Sequence, residues 1–422
     1  MSQPAILSVE RASCDASDGL VSLEEARSRA AAWAVPVEEH EEVVLDQAVG
    51  RILAQAVAAD LPLPPFDQSA MDGYALAAGD GLPAGSVLTV IGRAAAGDGA
   101  RTLPPGSALR ILTGAMVPRG ADAVVMQENV TRADGRIALS RMVRPGDNIR
   151  RRGEDVQAGE TLLAEGTRID ARHVALLAAQ GHGTVCVRRR IRVAVLSTGN
   201  ELRSQGETLA DTSLFDSNRP MVLALARQAG AAVVDGGIVP DDPRLMAEAF
   251  RDLATRCDLI VSTGGVSVGD EDHSLAALAK AGGMGESLRI ALKPGKPAAI
   301  GRIGHAAYLG LPGNPVAALV SWLLLGGAVL AALNGRPARP LAGMRLPLTH
   351  TFERRPGRTE FAPARLVQTS GGLAAEILGR GGSARLKPLA AADGLVCIDA
   401  LHAPVRAGEP VMFHPFRDGF AI

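Results

Sequence analysis

Residues 258–272 read DLIVSTGGVSVGDED. A strand over 258–262, apolar at Leu259, Ile260 and Val261, breaks into a glycine turn and then into three acids. A strand that is apolar on both faces must be covered on both, which is the mark of a parallel sheet between two helical layers. The surrounding chain repeats the pattern. Apolar strands are predicted at 192–196, 232–239, 298–303 and 306–309. A helix over 218–229 gathers Met221, Val222, Leu225 and Ala229. A second starts at Asp242-Pro243 and sets Met246, Ala249, Phe250 and Leu253 at i, i+3, i+4 and i+7. This alternation predicts an α/β domain over 191–337.

On either side the character changes. Beyond 338 the chain returns to short strands and turns, which predicts a C-terminal β domain over 338–422, barrel-like or a sandwich. Residues 61–150 hold β-like runs at 86–91, 108–112, 123–127 and 137–139. Turns such as Asp98-Gly99 and Asp134-Gly135 separate them, and together they predict an inserted β-rich module. Helices are expected at 23–34, with Ser22 as N-cap and Glu25 completing a capping box, at 46–58 and at 170–180. Residues 19–60 and 151–190 are therefore read as one linker and dimerisation domain interrupted by the insert, and residues 1–18 as a flexible tail. Arg188–Arg190 reads as a solvated domain junction.

Composition narrows the functional class. The 422 residues carry 44 Lys plus Arg against 45 Asp plus Glu, which leaves no general positive field for nucleic acid. An anion site, if present, is local. The four cysteines are far apart with no C-x-x-C spacing, so neither a zinc ribbon nor a disulfide framework is expected, and a reducing cytoplasm fits best. The first residues lack the basic start and apolar core of a signal peptide. The most apolar window, 315–333, follows a Pro-Gly-Asn-Pro turn and reads as a buried helix rather than a membrane span.

In an open α/β sheet, ligands bind beyond the carboxyl ends of the strands. Here those ends present Thr198, Gly199 and Glu201 (STGNEL), Asp241 and Asp242 (VPDD), and Gly264, Gly265, Ser267 and the acids 270–272 (STGGVSVGDED). They also present Pro312 and Asn314 (LPGNP), with Asn314 placed to cap a helix begun by Pro315. Glycine turns expose N–H groups that suit phosphate or another oxyanion. Neighbouring carboxylates suit a hydrated Mg²⁺ bridging to that phosphate. Asp242 reads as a helix cap first. Lys293 and Lys296 stand three apart on the stiff loop KPGK. Two further stretches are candidates: PPFDQSAMDGYAL at 64–76, where Asp72 reads as a site carboxylate and Asp67 as a turn support, and NIRRRGED at 148–155, which also reads as a self-neutralising charged turn.

Taken in order, FDQSAMDGYA, ILTGAMVP with ADAVVMQE, NIRRRGED, STGNEL, STGGVSVGDED, KPGKP and LPGNP resemble the molybdopterin molybdenumtransferases, over essentially the whole chain from about residue 20. The resemblance implies a four-domain, elongated homodimer whose central α/β domain is of molybdopterin-binding type. It implies insertion of molybdenum from molybdate into adenylylated molybdopterin, with Mg²⁺ dependence and release of AMP. The family's functional acids fall on Asp72, Asp155, Glu201, Asp241 and Asp272, of which Asp241 and Asp272 are read as the metal ligands. Thr113 and Arg150 match polar positions of its second motif group. Lys293, Lys296, Arg358 (PGRTEF) and Ser383 (GGSARL) match its oxyanion-holding groups. Arg289 and His273 stand where relatives often carry Lys and Tyr, and Arg differs from Lys in donor geometry.

Two other readings share parts of the pattern. A molybdopterin adenylyltransferase, also a conceivable partner, uses the same α/β site but lacks the flanking modules. A non-enzymatic scaffold on this fold would have no need of so many acids at the strand ends.

Overall fold

Arg192–Thr198 and Leu259–Thr263 lie side by side in a six-stranded sheet of the computed structural model, which describes residues 19–266, 273–338, 340–379 and 382–416. The sheet order is Ala232–Val239, Arg192–Thr198, Leu259–Thr263, Ala306–Leu311, Pro297–Ile303, Met284–Arg289. The first four strands are parallel, as expected, but the last two pairings are antiparallel. The reason is local. Only Gly304-His305 separates Pro297–Ile303 from Ala306–Leu311, and two residues can close a hairpin but not a crossover.

Alternate side chains along the strands explain the continuous apolar runs. Val193, Val195, Leu259 and Val261 face a layer holding Val222, Leu223 and Ala226 of helix Asn218–Gln228 and much of 315–333. Ala194, Leu196 and Ile260 face Met246, Phe250 and Leu253 of helix Pro243–Ala254, with Ala277 and Leu278 of His273–Lys280. Pro315–Leu333 is long and apolar enough to cross a membrane, yet 72% of it is buried in this core. It carries a π-helical turn at Trp322–Gly326.

Two expectations at the start of the chain need correction. Helix Leu23–Ala32 is capped by Ser22, whose Oγ accepts from the Glu25 N–H at 3.1 Å. The box is not completed, because the Glu25 carboxylate accepts instead from Arg29 at 3.4 Å. The helix also packs in the α/β core, with Ala26 and Ala30 buried against that cluster and Val21 bridged to Ile290. Residues 19–41 thus group with 188–422 in one compact unit, not with 151–190. In the same unit Arg189 is not solvated: Asp258 accepts from it at 2.9 and 3.1 Å and Glu39 at 3.0 Å.

The C-terminal part of this unit is a sheet ordered Leu292–Lys293, Thr359–Thr369, Gly394–Ile398, Pro410–Pro415, Met344–Pro347, with Gly372–Ile377 also on Thr359–Thr369. A bridge from Leu348 to Ala375 joins its two ends. The closed sheet surrounds Leu346, Phe352, Val396, Val411 and Phe413, as a small barrel does.

Residues 42–187 form a second compact unit. Its main sheet is ordered Ala123–Met126, Gly73–Leu76, Ser107–Ile111, Val87–Ala94, Arg136–Leu139, Val130–Ala133. One core holds Tyr74, Leu76, Ala108 and Ile137, and another holds Ala75, Leu109, Ile111 and Val124. Ala171–Ala179, capped by Asp170, packs Leu177 against Leu53, Leu163 and Val187. The helix expected over 46–58 is absent. The segment makes a 3₁₀ turn at Leu45–Gln47 and a short strand at Val57–Ala58, and Gly50, Leu53 and Ala54 donate backbone N–H groups to Ile169, Thr167 and Cys186. Gly50 and the β-branched Val49 and Ile52 make this a poor helix, so tertiary pairing wins.

Candidate functional site

At the strand ends of the α/β sheet, two glycine turns do the shaping. Gly199 follows Thr198 at φ +151, and a Cβ there would meet the Glu201 carboxylate at 2.6 Å, so the exposed Glu201 folds back over its own turn. Gly264 sits at φ +89, and a Cβ there would stand 2.5 Å from the Thr198 carbonyl oxygen. The two strand ends therefore meet backbone to backbone, a surface that a ligand can approach closely. The Thr198 hydroxyl is buried with no hydrogen-bond partner among the described residues.

The acids of VPDD separate cleanly. Asp242 caps Pro243–Ala254, accepting from the Arg244 N–H at 2.7 Å. That bond holds its carboxyl below the usual carboxylate range. Asp241 is exposed, and its backbone N–H donates to Asn200 Oδ1 at 3.3 Å. Asp241 thus remains available at the rim, whereas Asp242 is structural.

Asn314 takes the N-cap position before Pro315, but its side chain makes no cap bond, which corrects the expectation that it caps. The Ser383 carbonyl supplies an acceptor instead, for the Val316 N–H at 2.9 Å. Pro312 is buried beside it in sequence. The adjoining turn is tied by Asn218, whose Nδ2 donates to the Gly313 carbonyl at 2.6 Å. Asn218 is in turn set by Asp216, which accepts from the Asn218 and Arg219 N–H groups at 3.1 Å. Sequence reasoning missed Asp216 and Asn218, although an acid two residues ahead of a helix is a capping signal.

A cavity of about 660 Å³ opens in the same unit, lined by Lys293, Glu353, Arg354, Arg355, Pro356 and Arg358. Lys293 reaches it from the short strand Leu292–Lys293, which pairs in parallel with Thr359–Thr369. Arg358 Nη1 donates to the Leu292 carbonyl at 3.4 Å. Four cations stand against the lining Glu353 and the buried Glu360, which pairs with Lys293 and Arg354, so the surface keeps a positive excess and seeks anions. Lys293 and Arg358, paired from sequence, do converge. Lys296 and Ser383 are half-buried and are not part of that lining.

In the 42–187 unit, Asp72 leads into Gly73–Leu76 and its Oδ1 accepts from both the N–H and the hydroxyl of Thr113, at 2.8 and 2.7 Å. Those two bonds lower its pKa. Thr113, expected as a substrate contact, is thus occupied in orienting Asp72. Asp67 supports the turn as expected, accepting from Arg151 Nη1 at 2.7 Å and the Arg152 N–H at 2.8 Å. Arg150 donates from Nε to Glu154 at 3.0 Å, the self-neutralising arrangement. Asp155 is exposed, with its N–H on the Leu63 carbonyl at 3.0 Å.

Ser267 and Asp272 lie outside the described residues. Among the described residues no three His, Cys, Asp or Glu side chains converge as a metal cage. Mg²⁺ does not need one. It takes one or two protein carboxylates and fills its octahedron with water and phosphate, and an exposed Asp241 suits that role.

Comparison with known proteins agrees along most of the chain. Family models described as the MoeA N-terminal region (domain I and II), a probable molybdopterin binding domain and the MoeA C-terminal region (domain IV) match residues 21–181, 194–332 and 345–416. The molybdopterin molybdenumtransferase of Haemophilus influenzae is 35% identical over 402 residues, covering 94% of this chain and 99% of the relative. Molybdopterin molybdenumtransferase 2 of Mycobacterium tuberculosis is 36% identical over 397 residues, covering 88% and 97%. The crystal structure of the molybdopterin biosynthesis moeA protein of Pyrococcus horikoshii superposes with a TM-score of 0.78 at 29% identity, covering 94% of this chain and all of that one.

Proposed function

We propose, for a chain that belongs to the molybdopterin molybdenumtransferase family, that it transfers molybdenum from molybdate to adenylylated molybdopterin and releases AMP. The observation that carries this reading is the cation-lined cavity of about 660 Å³ in a protein whose net charge is only -1. Lys293 and Arg358 hold molybdate there, and Lys296 adds charge from the same loop. The Thr198, Gly264 and Gly265 turn, with Ser267, Pro312 and Asn314, takes the pterin and its phosphate. Ser383, outside the cavity lining, adds an oxyanion-holding group beside the turn where its carbonyl accepts from the Val316 N–H. Asp241 and Asp272 would hold Mg²⁺, which when bound neutralises phosphate charge at the nucleotide. Glu201 and Asp72 are the remaining reactive acids, with Asp72 aimed by Thr113. The resemblance alone carries Arg150 and Asp155 as substrate contacts, Arg150 being paired with Glu154.

The substrate must come from an enzyme that adenylylates molybdopterin, and a hand-off complex with it in the cytoplasm belongs to the same proposal. So does a homodimer, which light scattering should report as about twice the 43.6 kDa chain mass; a monomer mass would refute it. The competing activity is tested by incubating the protein with molybdopterin and Mg-ATP. An adenylyltransferase makes adenylylated pterin in that mixture without molybdate. The proposed transferase makes none, and releases AMP only when given the adenylylated pterin.

A further inference from the structure

Glu360 is a buried acid, 2% exposed, that the proposed reaction does not use. It follows Arg358 by two residues and stands directly opposite Lys293 in the parallel strand pair. Its two oxygens are divided. Oε1 accepts from Lys293 Nζ at 3.0 Å, and Oε2 accepts from Arg354 Nε at 3.0 Å. Arg354 is itself buried, with a side chain 1% exposed. Its remaining donors go to the backbone, Nη1 to the Asp399 and His402 carbonyls at 2.7 and 2.8 Å and Nη2 to the Arg358 carbonyl.

The charges are arranged unequally. A buried carboxylate needs a counter-charge, and Arg354 already supplies one. The Arg354–Glu360 pair is neutral as a unit, so the charge of Lys293 is not cancelled from the cavity's side. Lys293 keeps a side chain 43% exposed and lines that cavity. A lysine on a free stem has many rotamers to lose when it binds an anion. One that is already held loses fewer.

From this geometry we infer that Glu360 is a positioning residue for oxyanion binding. It presets the Lys293 ammonium, while Arg354 offsets the cost of its burial and pins the Arg358 backbone. The inference rests on the proposed role of Lys293 in holding molybdate.

The test is a four-protein cycle: wild type, Glu360→Gln, Lys293→Ala and the double variant. Each is titrated with molybdate in the AMP-release reaction, and the half-saturating concentration and maximal rate are read separately. Glu360→Gln should raise half-saturation about tenfold, the order expected for losing one charge-assisted hydrogen bond, with little change in maximal rate. In the Lys293→Ala background the same substitution should add nothing, since two residues acting through one group are non-additive.

A simple field effect predicts the opposite sign, because removing a carboxylate leaves the cavity more positive; tighter molybdate binding by Glu360→Gln would overturn the inference. So would an equal loss in both backgrounds, which marks a general structural defect. If Lys293→Ala itself leaves half-saturation unchanged, the assignment of molybdate to Lys293 fails and takes this inference with it. Should Glu360→Gln not fold, Arg354→Gln/Glu360→Gln replaces it in the cycle, since removing both buried charges leaves neither unpaired.

Discussion

Asp241→Asn is expected to cut AMP release by roughly 10³-fold, because a metal's stabilisation of transition-state charge is worth several kcal/mol and each 1.4 kcal/mol is about tenfold. The amide keeps the shape and loses the charge that Mg²⁺ requires of a ligand. Asp272→Asn is expected to do the same. The neighbouring Asp242 provides the control. Its carboxylate caps helix Pro243–Ala254 through the Arg244 N–H, so Asp242→Ala should cost about 1 kcal/mol of stability in urea unfolding and spare the chemistry. Initial rates across a Mg²⁺ titration separate the cases. A lost ligand shifts the Mg²⁺ requirement upward, and wild-type turnover by Asp241→Asn at low Mg²⁺ would refute its role.

Lys293→Ala/Lys296→Ala is expected to raise the molybdate concentration for half-maximal AMP release by about 100-fold, the order expected when charge-assisted hydrogen bonding worth up to about 3 kcal/mol is removed from the anion. Binding of the adenylylated pterin should change far less. The cavity sharpens the expectation. Lys293 lines it and Lys296 does not, so Lys293→Ala alone should carry most of the effect. Titrating molybdate against each single variant checks this. An unchanged half-saturation in the double variant would remove the lysines from oxyanion binding altogether.

What could be read from the residues alone follows from distance along the chain. Strand ends, glycine turns and the Asp242-Pro243 cap are local chemistry, and they were legible because their partners sit within a few residues. Pairings across the chain were not. The two bonds that aim Asp72 come from Thr113, 41 residues away, and no periodicity links them. Glu360 meets Lys293 only through a strand register 67 positions apart, which the sequence does not announce. The helix wrongly expected over 46–58 has the same cause, since the backbone partners of that segment are Thr167, Ile169 and Cys186. By contrast, although a parallel sheet was expected there, the antiparallel turn at Gly304-His305 could have been read from the sequence. Its two-residue length excludes a crossover helix, and that alone breaks the parallel order of the sheet.

The central claim is that this chain moves molybdenum onto the pterin. The direct measurement supplies the purified protein with adenylylated molybdopterin, molybdate and Mg²⁺, and then adds an apo-molybdoenzyme that reports any completed cofactor. The account predicts AMP release together with activation of the reporter, both lost when molybdate is withheld. AMP release with no reporter activation, or activation that is independent of molybdate, would contradict it.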